Sequence, residues 1–103
     1  MTSTADGASA TPVVLVADDD PDILSLVSVR LKKAGFGVVT AADGEEALRV
    51  VLEHRPELAI VDVRMPKMDG LELTRRIRAD DESSEIPVIA LSAVPAPAWN
   101  KSP

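Results

Sequence analysis

The sequence contains no cysteine and no tyrosine, and only one phenylalanine and one tryptophan. Without cysteine, disulfides and thiolate chemistry are excluded, which suits a reducing cytoplasm. Aromatic residues make up 2% of the 103 positions and hydrophobic residues 46%, so the core must be built from valine, leucine, isoleucine and alanine. No apolar run approaches the roughly 18–20 residues of a membrane span. The net charge of −6 argues against direct binding to nucleic acid or to an anionic membrane.

Four short apolar segments alternate with three segments of helical periodicity. The predicted strands are Val13–Ala17, 36–40, Leu58–Asp62 and 87–91. The residues expected to face the core are Ile23, Leu24, Val27, Leu31 and Ala34 in the first helix, Ala47, Leu48, Val51 and Leu52 in the second, and Leu71, Leu73 and Ile77 in the third. One helix in each crossover between short strands predicts a doubly wound, three-layer α/β fold with a parallel sheet.

The ends of the chain differ in composition from its middle. Residues 1–11 lack the basic start and the apolar middle of a signal peptide, and we expect a flexible leader there. Residues 12–93 contain all the predicted strands and helices and form the predicted domain. Residues 94–103 include three prolines, which are incompatible with a regular helix, and form a proline-rich tail.

Acidic and hydroxyl side chains follow three of the predicted strands. Asp18 and Asp19 come directly after the first strand, Asp62 ends the third, and Ser92 follows the fourth. Because ligands gather at the carboxyl ends of parallel strands, we expect these side chains to converge. Helix capping explains the acid at Asp20, the third of the first run, but it does not explain the acids at Asp18 and Asp19.

Carboxylates held close together repel one another, and a divalent cation removes that repulsion. Hard oxygen ligands with room left for water suit Mg²⁺. An aspartate beside Mg²⁺ can act as a nucleophile toward phosphorus and form an aspartyl phosphate. The chain contains no glycine-rich phosphate loop, so nucleotide hydrolysis is not expected.

Three segments, VLVADDDPDI, LAIVDVRMPKMDG and PVIALSA, together resemble the receiver domain of bacterial two-component response regulators. The resemblance covers roughly residues 13–93. It implies a flavodoxin-like parallel sheet with the strand order 2-1-3-4. It also implies a phosphoacceptor signalling domain of the cytoplasm rather than an enzyme, in which any loss of the phosphoryl group is intrinsic and slow.

The resemblance also implies a role for each residue at the strand ends. Asp62 would receive a phosphoryl group from a histidine of a sensor kinase or a phosphotransfer protein. Asp19 and Asp62 would bind Mg²⁺ directly, together with the backbone carbonyl of Arg64, and Asp18 would act largely through water. Ser92 would be the switch hydroxyl that moves toward the phosphoryl group.

The likeness stops after Ala93, where family members continue with a fourth helix, a fifth strand that ends in Lys-Pro, and a fifth helix. The family's lysine has no counterpart at its expected place, and Lys101 is the only candidate substitute. The fourth strand would then leave an exposed apolar sheet edge. We expect either Trp99 or a second copy of the chain, as a homodimer, to cover it.

Two other functions fit parts of the same pattern. A protein-docking module that keeps the fold but is never phosphorylated is favoured by the missing lysine and disfavoured by the intact acids and Ser92. A free-standing Mg²⁺-dependent phosphohydrolase would need a general acid and a substrate cap, and neither is evident in the sequence. We therefore expect a phosphoacceptor domain, with the docking module as the alternative.

Overall fold

A computed structural model describes residues 11–91 of the protein. Its elements, in chain order, are β1 (Val13–Ala17), α1 (Pro21–Lys33), β2 (Gly37–Ala41), α2 (Gly44–His54), β3 (Leu58–Asp62), α3 (Gly70–Ala79) and β4 (Val88–Leu91). The predicted alternation of strands and helices is confirmed, although β2 and β4 each begin one residue later than predicted. The predictions for the leader before Thr11, for Ser92 and for the proline-rich tail fall outside the described residues.

The four strands form one parallel sheet in the order β2-β1-β3-β4, which confirms the order 2-1-3-4. Ala17, the last residue of β1, pairs with Ala41 in β2 and with Val61 in β3. The ladder continues past β1, because the amide of Asp18 donates to the carbonyl of Ala41 at 3.0 Å. β1 and β3 therefore end almost level, and the residues that follow them emerge at the same edge.

The sheet separates two helical layers of unequal burial. Leu15 and Ala17 of β1 belong to the main core, whose other buried members are Ala41, Ala47, Val51, Ala59, Val61, Met65, Leu73, Ile77 and Ile86. Because side chains alternate along a strand, Val14 and Val16 face the opposite layer, where α1 lies against β1 and β2. No residue of α1 is fully buried. Within residues 11–91, no helix is long and apolar enough to cross a membrane.

An aspartate caps the beginning of each helix. The side chains of Asp20, Asp43 and Asp69 accept hydrogen bonds from backbone amides in the first turns of α1, α2 and α3, at 2.8–2.9 Å. These bonds satisfy amides that have no partner inside the helix. Oε1 of Glu46 also accepts a hydrogen bond, at 2.8 Å, from the amide of Ala42, the residue before the N-cap of α2. The caps fix where each strand-to-helix loop ends.

Several of the predicted core positions proved wrong. Leu71 is 59% exposed, because successive helical residues are about 100° apart and it cannot share a face with Leu73. Leu52 is 42% exposed for the same reason, because it directly follows the buried Val51 and points about 100° away from it around the helix axis. Ala34 is the exposed C-cap of α1. The remaining predicted positions of α1, Ile23, Leu24, Val27 and Leu31, are half-buried.

Candidate functional site

The sheet register brings acids from distant parts of the sequence together. Asp18 follows Ala17, and Asp62 follows Val61, which is the partner of Ala17 across the sheet. β3 is itself held on its other side, where Asp62 pairs with Leu91 of β4. Asp18 and Asp62 therefore occupy neighbouring positions at the carboxyl edge of the two central strands.

Asp18, Asp19 and Asp62 form a compact carboxylate cluster. One carboxylate oxygen from each residue lies within 4.8 Å of the other two. Asp18 and Asp62 are buried, with 6% and 9% of their surface exposed, whereas Asp19 is exposed to solvent. The structure thus brings together the three acids that the sequence singled out, and it leaves one side of the cluster open.

The cluster opens into a cleft of about 570 Å³. Its lining residues are Asp18, Asp19, Asp20, Ile23, Asp62, Arg64 and Leu91. The sequence analysis did not assign Asp20, Ile23 and Leu91 to the site. Their positions gave a usable signal, because Ile23 lies in the first turn of the helix that follows the acidic run, and Leu91 is the last residue of the strand beside β3. Ser92 is the next residue in the sequence and lies outside the described residues.

Two local hydrogen bonds orient the buried carboxylates. Oδ1 of Asp18 accepts a bond from the amide of Asp20 at 2.9 Å, and Oδ1 of Asp62 accepts one from the amide of Arg64 at 3.2 Å. Both bonds run from a side chain to the amide two residues later, an arrangement favoured by aspartate in turns. Each carboxylate is thereby held against its own loop.

Burial raises the pKa of Asp18 above its ordinary value of 3.8. The amide of Asp20 opposes this shift, and the negative charges of Asp62, Asp19 and Asp20 add to it. The ionised cluster is therefore destabilised when no cation is bound. In the part of the chain that the structure describes, none of the three acids forms an ion pair with lysine or arginine.

The donor set fits a magnesium ion. Mg²⁺ prefers oxygen ligands, takes one or two carboxylates directly, and keeps several of its waters. Three converging carboxylates without a basic partner among the described residues supply the charge, and the exposed side at Asp19 leaves room for water. A manganese ion, which also accepts oxygen ligands, would fit the same donors.

Comparison with known proteins identifies the family. A family profile for the response regulator receiver domain matches residues 14–98. The transcriptional regulatory protein PrrA of Mycobacterium tuberculosis is 43% identical over 88 residues, which are 85% of this chain and 37% of that protein. The structure of the chemotaxis response regulator CheY4 of Vibrio cholerae has a TM-score of 0.80 and 36% identity, covering 87% of this chain and 75% of that one.

A further solved structure is relevant to the metal. The receiver domain of the sensor histidine kinase PA1611 of Pseudomonas aeruginosa was solved with a magnesium ion coordinated in its active site cleft. It is 30% identical, with a TM-score of 0.78, and the match covers 87% of this chain and 75% of that one.

This chain belongs to the response regulator receiver domains of two-component systems. The solved relatives also confirm the flavodoxin-like receiver fold. The chain spans about a third of the length of the curated relatives that it matches.

The raised pKa of Asp18 gives a prediction for the metal-free protein. The folded state binds the Asp18 proton more tightly than the unfolded state, so stability falls as pH rises from the unfolded pKa of 3.8 through the folded pKa. In EDTA near pH 7, Asp18→Asn is therefore expected to raise Tm by a few degrees Celsius.

The measurement is thermal unfolding followed by circular dichroism. Asp81→Asn, at an exposed position of the α3–β4 connection, is the matched control and should leave Tm nearly unchanged. The gain in Asp18→Asn should disappear below pH 3.8, where the carboxyl is protonated in both states. An unchanged or lower Tm near neutral pH would contradict the electrostatic account of the cluster.

Proposed function

We propose that this domain, in the cytoplasm, accepts a phosphoryl group on Asp62 in the presence of Mg²⁺. The donor is a phosphorylated histidine of a sensor kinase or of a histidine phosphotransfer protein. The observation that carries this proposal is the convergence of Asp18, Asp19 and Asp62 within 4.8 Å at one edge of the sheet. Membership of the response regulator receiver domains supports the same chemistry.

Asp62 is suited to be the nucleophile. It is nearly buried, and the amide of Arg64 holds its Oδ1, which fixes the direction of the carboxylate. A carboxylate oxygen attacks phosphorus, and an O–P bond forms as the P–N bond to the donor imidazole breaks. The imidazole leaves with the bonding electron pair and takes up a proton. The chain is then a phosphoacceptor and not an enzyme that turns over a substrate.

Asp19 and Asp62 are the residues that would hold Mg²⁺ directly, with the backbone carbonyl of Arg64 as a further ligand and Asp18 acting through water. Bound there, Mg²⁺ supplies positive charge to the phosphoryl oxygens and to the carboxylates. Arg64 lies in the cleft lining, as this assignment requires. Ser92 is the proposed switch hydroxyl, supported by the place of its neighbour Leu91 in the cleft.

Phosphorylation by a small donor tests this proposal. Incubation with Mg²⁺ and acetyl phosphate is expected to add one phosphoryl group, measured by intact-protein mass spectrometry. Asp62→Asn should abolish the gain because the nucleophile is lost, and EDTA should suppress it. Asp69→Asn is the matched control, since Asp69 caps α3 and does not line the cleft.

The wild-type result separates the two functions. A mass gain that depends on Asp62 and on Mg²⁺ supports the phosphoacceptor. A wild-type chain that gains no mass would contradict it and favour the non-phosphorylated docking module. Asparagine at position 69 still accepts the capping hydrogen bond, so Asp69→Asn should be phosphorylated like the wild type. An equal loss of phosphorylation in Asp62→Asn and Asp69→Asn would contradict the assignment of Asp62 as the phosphoacceptor.

An apolar patch on α1 supports docking of the phosphodonor protein beside the cleft. Ile23 lines the cleft, and Leu26 lies one turn further along the same helix. Leu26 and Val29 are 51% and 50% exposed. Exposed aliphatic side chains next to a reaction site are typical of a protein contact surface. We propose this patch as the surface that binds the histidine-bearing partner.

A comparison of two phosphodonors tests the patch. A radiolabelled histidine kinase, selected for its transfer to the wild-type chain, should phosphorylate Leu26→Asp about tenfold more slowly. The reaction with acetyl phosphate should not change, because the cleft is intact. Leu71→Asp, equally exposed but on α3, should behave as wild type with both donors. An equal loss with both donors in Leu26→Asp would contradict the docking role.

We propose a second copy of the chain as the partner of β4. In the sheet as described for residues 11–91, β4 is an end strand, and Ile89 is 49% exposed. Analytical ultracentrifugation should give a dimer at micromolar concentration, and Ile89→Lys should shift the equilibrium to monomer. A monomer at every concentration would contradict the dimer and favour coverage of β4 by the segment that carries Trp99.

A further inference from the structure

Gly44, the first residue of α2, is buried against the loop that follows Asp62. A Cβ atom added to Gly44 would lie 2.1 Å from the carbonyl oxygen of Met68 and 2.5 Å from its Cβ. Both distances are far below van der Waals contact, and the closest atom belongs to the backbone. Any side chain at position 44 would therefore force α2 and residue 68 apart.

Space, and not backbone conformation, is the reason for glycine at this position. Gly44 has no positive φ, so an alanine would be conformationally acceptable there. Gly35 provides the contrast, because its φ is +99° and no atom lies within 4 Å of the position of its Cβ. Because Gly44 has no Cβ, the start of α2 can approach Met68 closely.

Met68 belongs to the loop of residues 63–69, which is constrained by backbone hydrogen bonds at its ends and within it. At one end, the amide of Gly70 donates to the carbonyl of Val63 at 2.9 Å. Within it, the amide of Met68 donates to the carbonyl of Pro66 at 2.7 Å, and the intervening Lys67 has φ +70°. This three-residue turn is a strained conformation for a residue other than glycine. A displacement of Met68 is therefore transmitted along the loop toward Arg64.

A second contact joins the same two segments. Nζ of Lys67 lies 3.6 Å from Oδ2 of Asp43, whose Oδ1 caps α2 through the amide of Glu46. The lysine side chain is 59% exposed, so this ion pair is expected to contribute little energy. The packing of Gly44 against Met68 is the contact that determines how closely α2 approaches the loop.

We propose that Gly44 is a positioning residue for the phosphoacceptor loop. By letting the start of α2 pack directly on the Met68 carbonyl, it holds residues 63–69 in the conformation that presents Asp62 and the Arg64 carbonyl to Mg²⁺. This inference rests on the proposed function for its consequence, which is tighter metal binding and faster phosphorylation. The positioning itself can be measured without metal.

The test compares Gly44→Ala with Gly37→Ala. Gly37 is the matched control, because its Cβ would meet its nearest atom, of Val13, at an ordinary 3.4 Å. Gly44→Ala is expected to raise the Kd for Mg²⁺ about tenfold, as changes behind a metal site commonly do. Its rate of phosphorylation by acetyl phosphate should fall, and Gly37→Ala should keep both values. The Kd is read from amide chemical shifts at a temperature where circular dichroism shows each variant to be folded.

A metal-free measurement separates this inference from the proposed function. In EDTA, the amide chemical shifts of residues 64, 65 and 67–69 should change in Gly44→Ala and stay unchanged in Gly37→Ala. Unchanged shifts in Gly44→Ala would overturn the positioning role even if the wild type is phosphorylated. A wild-type chain that takes neither Mg²⁺ nor a phosphoryl group would instead overturn the proposed function. A lower Tm with an unaltered Kd would show a purely structural role and would also overturn the inference.

A double variant keeps the test decisive if Gly44→Ala fails to fold. Met68→Gly removes the clashing Cβ atom and gives the loop backbone more freedom to move away from position 44, so Gly44→Ala combined with Met68→Gly is expected to fold. In that background, Gly44→Ala should change the Mg²⁺ Kd less than it does alone, because the two sites are coupled. Equal effects in both backgrounds, or a double variant that does not fold, would overturn the assignment to Met68.

Discussion

The mutual repulsion of carboxylates at the level ends of β1 and β3 is the constraint on which this structure depends. The register between Ala17 and Val61 puts Asp18 and Asp62 side by side, and within the described residues each carboxylate accepts a hydrogen bond from one backbone amide. Among the described residues, no lysine or arginine forms an ion pair with them. Within residues 11–91, the sheet thus gathers negative charge at one edge that no basic side chain pairs with, an arrangement that costs stability and that fits a cation.

The buried and the exposed acids of the cluster differ in what they contribute to the site. Asp18 and Asp62 are fixed by burial and by bonds to their own loops, so they define where the charge lies. Asp19 is exposed and lines the cleft, so one side of the cluster stays open to water. A preorganised set of charges with one open side is what transfer of a charged group requires, because the charges need no rearrangement when the group arrives.

Much of this arrangement could be predicted from the sequence because it depends on local signals. Apolar runs that stop at an acid identify the strand ends, and Asp20 is recognisable from the sequence as the residue that caps the first helix. The helix faces were harder: Leu71 and Leu73 are both apolar, and only packing shows which of them is buried. The contact between Gly44 and Met68 could not be predicted at all. It joins segments that are remote in sequence, and a glycine after an aspartate is equally typical of an ordinary turn.

The two sides of the sheet hold their helices with unequal strength. α2 and α3 share the buried core with β1 and β3, whereas α1 has no fully buried residue. Local opening favours elements with little buried apolar surface, so α1 is expected to open more readily than α2 and α3. Asp62 and its loop follow β3, which packs in the buried core with α2 and α3, whereas the patch at Leu26 lies on the less buried α1. In the proposed phosphotransfer, small adjustments of α1 would accommodate the partner while the carboxylate cluster stays undisturbed.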